Sequence, residues 1–132
     1  MPHERHLGAI RGATTVDEDN ASAIRAATAE LLRRIVALNE LSPDDIISAL
    51  FTVTPDLRSV FPAHAARELG WTDVALLCTM EIPVPGAIAR CIRVLLHVET
   101  TRPRKQLRHV YLRGARALRP DWADEPGEDA PA

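Results

Sequence analysis

A chain of 132 residues, with sixteen Lys and Arg against eighteen Asp and Glu and a formal charge of -2, is one domain by length and buries roughly two-thirds of its unfolded surface. That balance gives no electrostatic ground for a nucleic-acid or anionic-membrane partner, no apolar run approaches the ~20 residues that cross a bilayer, and the opening Met-Pro-His-Glu-Arg-His lacks a signal peptide's apolar stretch, so a cytoplasmic location is expected. Two cysteines without a wider framework predict reduced thiols, and five histidines with no ligand pair at helical spacing predict no metal.

Residues 7 to 16 read as a first strand, with Arg11 inside it and Gly12 permitting close backbone approach. Asp19 is the expected N-cap of a helix to about Asn39, in which Ile24, Ala27, Leu31, Ile35 and Leu38 form one apolar stripe. Ser42-Pro-Asp-Asp45 opens a short helical turn, and the later part of 47–54 reads as a buried strand. A proline-opened, glycine-closed helix spans Pro62 to Gly70. Ala75 to Met80 is the third strand, and Pro83 to Gly86 is a loop because the prolines cannot donate to a ladder.

Cys91 to Glu99 gives the longest strand, with Ile92, Val94, Leu96 and Val98 on one face and Arg93, Leu95, His97 and Glu99 on the other. Pro103 to Tyr111 is expected as a turn or short helix and Ala115 to Leu118 as a last strand. These elements imply an α+β fold, a mixed β-sheet with helices packed on one face. The other face is apolar and uncovered, which predicts packing on further copies of the chain. The domain is expected over 1–121, followed by an acidic, mobile tail over 122–132.

Four stretches set polar groups among apolar residues: Arg11-Gly-Ala-Thr-Thr15, Cys78-Thr-Met-Glu81, Cys91-Ile-Arg93 and Arg108-His-Val-Tyr-Leu-Arg113. An arginine in such a place is costly without an anionic partner, so the four together point to a site for a small dianion. Read singly, Cys78 is a small buried hydrophobe, Glu81 a solvated strand end, Arg93 half of an ion pair, and Tyr111 and Phe61 packing residues.

In that order, and joined by Phe61-Pro-Ala63 and Leu118-Arg-Pro-Asp121, the motifs resemble the monofunctional chorismate mutases of the trimeric, pseudo α/β-barrel class, from about Gly8 to Asp121. The resemblance implies a homotrimer, meeting through the uncovered sheet faces, that converts chorismate to prephenate without a cofactor. It implies Arg93, Glu81 and Arg11 as the catalytic groups. Substrate contacts are implied for Leu77, Cys78, Thr79, Met80 and Tyr111, and also for Phe61, Ala63, His64, Arg67, Leu118 and Arg119. The chain departs from the family pattern at His64, where lysine is frequent, at Leu77, where threonine is familiar, and at Pro85. Two other functions are weighed: a non-catalytic trimeric binder of aromatic-pathway carboxylates, and an enamine/imine deaminase of a related trimeric fold, against which the C-x-x-E and R-H-V-Y-L segments argue.

Overall fold

The computed structural model describes residues 4–121, so the expected tail over 122–132 lies outside the described residues. Strands β1 (His6–Thr15), β2 (Ile46–Val53), β3 (Ala75–Met80), β4 (Cys91–Thr100) and β5 (Val110–Tyr111) form one sheet in the order β3-β2-β4-β1-β5, and helices α1 (Ala21–Asn39) and α2 (Ala63–Glu68) complete the fold. The central pairs β1/β4 and β4/β2 are antiparallel, and the two outer pairs, β2/β3 and β1/β5, are parallel. The α+β mixed sheet read from the sequence is therefore the fold observed.

The stripe on α1 packs as its spacing requires. Ile24, Ala27, Leu31, Leu32 and Ile35 are buried, and Leu31, Leu32 and Ile35 join Ile10, Phe51, Val94 and Leu96 in the main core. A Cβ on Gly12 would meet Ile35 Cδ1 at 2.8 Å and the Val110 carbonyl at 3.2 Å, so glycine is what lets α1 and β5 close on β1. The N-cap of α1 is Asn20, whose Oδ1 accepts from Ala23 N at 2.7 Å, and not the expected Asp19. Asp19 serves the loop after β2, with Oδ1 accepting from Arg58 N at 2.9 Å and Ser59 N at 3.1 Å. At the other end of α1, Asn39 accepts from Arg108 N at 2.8 Å and donates to Arg108 O at 3.0 Å, which fixes the segment leading into β5.

Two features of the sheet were outside the periodicity. Ile47 bulges between the pairs Ile46↔Val98 and Ser48↔His97. The extra residue reverses which face follows, so Ala49 and Phe51 enter the core while Ser48, Leu50 and Thr52 turn to the face that carries Arg93. The expected last strand over Ala115 to Leu118 is a 3-10 helix, Arg113–Ala117. Arg113 takes φ 52°, and Thr15 Oγ1 accepts from Gly114 N at 3.1 Å. A ladder cannot continue through that turn, and the chain instead folds Ala115 and Leu118 against Tyr111. The true last strand is only Val110–Tyr111, too short to show an alternation.

Candidate functional site

Strand register assembles the site. Tyr111 of β5 stands beside Ala13 of β1, Ala13 opposite Arg93 of β4, Arg93 opposite Thr52 of β2, and Thr52 beside Thr79 of β3, one row crossing all five strands on the face opposite α1 and α2. Ala13 contributes only a methyl between the phenol and the guanidinium, and it is fully buried, with Ala115 and Leu118 packed at this end of the row. Arg11 lies on the same face, opposite Leu95 and therefore diagonal to Arg93, about 7–8 Å away by ordinary sheet geometry.

Glu81 continues β3 by one residue, donating its N–H to Val53 O at 2.8 Å. Its Oε2 lies 3.1 Å from Arg93 Nε and accepts a hydrogen bond from the Thr52 hydroxyl. The Arg93 Nε–H is buried and not aimed well enough at that oxygen to count as a hydrogen bond, so the contact is an ion pair by distance. The side chains are 30% and 20% exposed, which leaves both reachable from the open face.

Positive charge converges on this row. Burial pushes the Tyr111 phenol above its ordinary 10, opposed by the cations of Arg11, Arg119 and Arg93, so it remains a protonated donor at neutral pH. Burial likewise pushes the Cys91 thiol up to about 11, with Arg93 pulling the other way. His109 Nδ1 accepts from Arg11 N at 3.0 Å, which fixes the backbone that presents Arg11. Burial, then the cations of Arg11 and Arg119, hold its pKa below 6.5, keeping the imidazole neutral and Nδ1 an acceptor. Arg11 and His109 also line a depression of about 1010 Å³ that runs along the open face past Leu95 and His97.

Of the residues singled out from the sequence, Arg11, Arg93, Glu81, Tyr111 and Thr79 meet on this face. Leu118 packs against the Tyr111 cluster, and Arg119 acts on the Tyr111 phenol while pairing with Asp121 at 2.8 Å. Leu77 shares the face but is 65% exposed, and Met80, at the end of the edge strand, is 60% exposed. Cys78 has the opposite orientation and packs on the helix-side core, so its thiol is not turned toward Glu81. Ala63 is a core residue. Phe61, 69% exposed, and His64 and Arg67 lie on the surface around α2, away from the row. Thr52, Cys91 and His109 were not among the expected site residues. Their signals, a bulge, a close side-chain approach and a backbone acceptor, exist only once the sheet is paired.

With this geometry established, comparison with known proteins is specific. The family described as chorismate mutase type I matches residues 7–122. The chain is 47% identical over 113 residues to the chorismate mutase AroH of Bacillus subtilis (strain 168), covering 85% of this chain and 89% of that protein. It is 50% identical over 113 residues to the chorismate mutase AroH of Thermus thermophilus, covering 85% and 93%. A solved chorismate mutase from Clostridium thermocellum matches with a TM-score of 0.82 at 54% identity, over 83% of this chain and 98% of that one.

Proposed function

The chain belongs to the chorismate mutase type I family, and we propose that the row centred on Arg93 and Glu81 is where it rearranges chorismate to prephenate. The chain is thus an isomerase of aromatic amino-acid biosynthesis, and the questions left to its own residues are how they act and in what assembly. The reaction is an intramolecular pericyclic step, so the protein need supply no proton, hydride or nucleophile. It must fold the substrate into a reactive shape and meet the charge that develops as the carbon–oxygen bond breaks.

Arg93 supplies the opposing positive charge. With Nε beside Glu81, its terminal nitrogens are left to donate to the ether oxygen, which is more negative in the transition state than in the substrate. Arg11 and Tyr111 grip the enolpyruvyl carboxylate, a planar fork and a phenol that stays protonated. Glu81 accepts from the ring hydroxyl. Arg119 and Leu118 close the end of the row beside Tyr111. The observation that carries this division is the ion pair of Arg93 with Glu81 on the sheet face opposite α1 and α2.

The site is completed by a second copy in a homotrimer. Leu7 at 64%, Leu77 at 65%, Phe61 at 69% and Ile82 at 80% exposure are large apolar groups that a lone chain leaves in water; Leu7 and Leu77 are on the open face, and Ile82 follows the edge strand β3. Phe61, His64 and Arg67 sit on the surface around α2 and make no hydrogen bond or ion pair with the row, and they serve the row of a neighbour. The enzyme works in the cytoplasm; no described helix is long and apolar enough to cross a membrane. The test of function is the loss of chorismate absorbance on adding purified protein in the presence of a chelator, with prephenate as the product. Equimolar prephenate is expected, and unchanged chorismate would refute the reading.

A further inference from the structure

We propose that Thr52 is a positioning residue that fixes Glu81 for catalysis by dividing the work of its two carboxylate oxygens. The inference rests on the reading of the site given above and extends it to a residue outside the charged set. Thr52 lies directly opposite Arg93 and directly beside Thr79, between Arg93 and the strand that leads into Glu81. Its hydroxyl donates to Glu81 Oε2, the same oxygen that stands 3.1 Å from Arg93 Nε. Oε1 takes no hydrogen bond from the described residues. One oxygen is therefore held by the protein, and the other is left for a substrate hydroxyl to donate to.

The hydroxyl is needed because Arg93 alone does not orient the carboxylate. Its Nε–H is poorly directed at Oε2, and an ion pair by distance leaves the carboxyl plane free to turn. A threonine on a central strand has a stiff χ1 and a fixed hydroxyl position. The bulge at Ile47 puts it there, since a ladder continuing regularly from Ile46↔Val98 would turn Thr52 into the core and set Phe51 opposite Arg93. Holding Oε2 also keeps the Arg93 guanidinium from swinging toward a free carboxylate, so that its terminal nitrogens remain aimed at the substrate.

The test is steady-state kinetics of Thr52→Val, which keeps the shape and removes the donor, with Thr52→Ser, which restores it, and Thr52→Ala as a second deletion. Thr52→Val and Thr52→Ala are expected to lower kcat/KM about tenfold, consistent with losing one hydrogen bond to a charged group, while Thr52→Ser stays within about twofold of wild type and all melt at similar temperatures. In a Glu81→Gln background the Thr52→Val change should cost little more, because the oxygen it positions is no longer an anion paired to Arg93. Wild-type rates in Thr52→Val and Thr52→Ala, equal loss in Thr52→Ser, or fully multiplicative effects with Glu81→Gln would each overturn the inference. An inactive wild-type protein would instead overturn the reading of the site itself, so the two failures are separable.

Discussion

Arg93→Ala should lose at least a hundredfold in kcat while the protein melts at nearly its normal temperature. A preorganised cation aimed at the developing charge is worth about 3 kcal/mol or more, which sets that lower bound. The fold should survive because the side chain lies part-exposed on the sheet face opposite α1 and α2, and Thr52 still donates to the Glu81 carboxylate left behind. Arg93→Lys should fail almost as badly. In the native site one guanidinium faces Glu81 through Nε and retains two further nitrogens for substrate. A single ammonium at that reach cannot serve both. Rates within threefold of wild type in either variant, measured with the melting temperature, would remove Arg93 from its role.

The second large effect is recovery of activity from two dead proteins. Phe61→Asp should inactivate by placing a charge where a 69% exposed aromatic ring is expected to close a neighbour's cleft. Arg93→Ala inactivates from the other side. If each cleft takes Arg93 from one chain and Phe61 from the next, co-expressed equal mixtures should regain about a quarter of wild-type activity per site, the share of clefts that inherit both intact groups in a closed ring. Light scattering on the same samples should return the mass of three chains. Mixtures as inactive as their parents, or a monomer on the column, would show that the cleft is built within one chain.

How far the sequence could foresee this depended on how local each signal was. The stripe of α1, the proline and glycine around α2, and the alternation of β4 are written within a few residues, and those elements formed as their spacing required. The N-cap moved from Asp19 to Asn20 because a loop nearly forty residues on claimed the Asp19 carboxylate. Both residue types cap helices equally well, and only tertiary contact chooses between them. The last strand was misplaced because β5 is two residues of parallel pairing, and Arg113 in a left-handed conformation ends it.

The site divides the same way. Arg11, Glu81, Arg93 and Tyr111 were visible because charge and phenol stand out in apolar strands. Thr52 was not, since a threonine in a strand is ordinary and its facing depends on the Ile47 bulge. Cys78 illustrates the converse. Its motif drew attention to the thiol, and the parity of β3 sends that thiol into the core with Leu76, leaving the site to its odd-numbered neighbours Thr79 and Glu81.

The central claim, rearrangement by electrostatics without proton transfer, is tested most directly by kcat for chorismate conversion between about pH 5 and pH 9. Tyr111 titrates above 10 and Cys91 at about 11, so neither changes state in that range. His109 is the group with a displaced value nearest to it, and its pKa is lowered from 6.5. As pH falls below that point, protonation turns Nδ1 from an acceptor for the Arg11 N–H into a donor, loosening β1 at Arg11. The account therefore predicts a kcat that is level from about pH 6.5 to pH 9 and declines only on the acid side. A bell-shaped profile centred near neutrality would contradict it, because that shape requires a general acid and a general base that this reaction does not use.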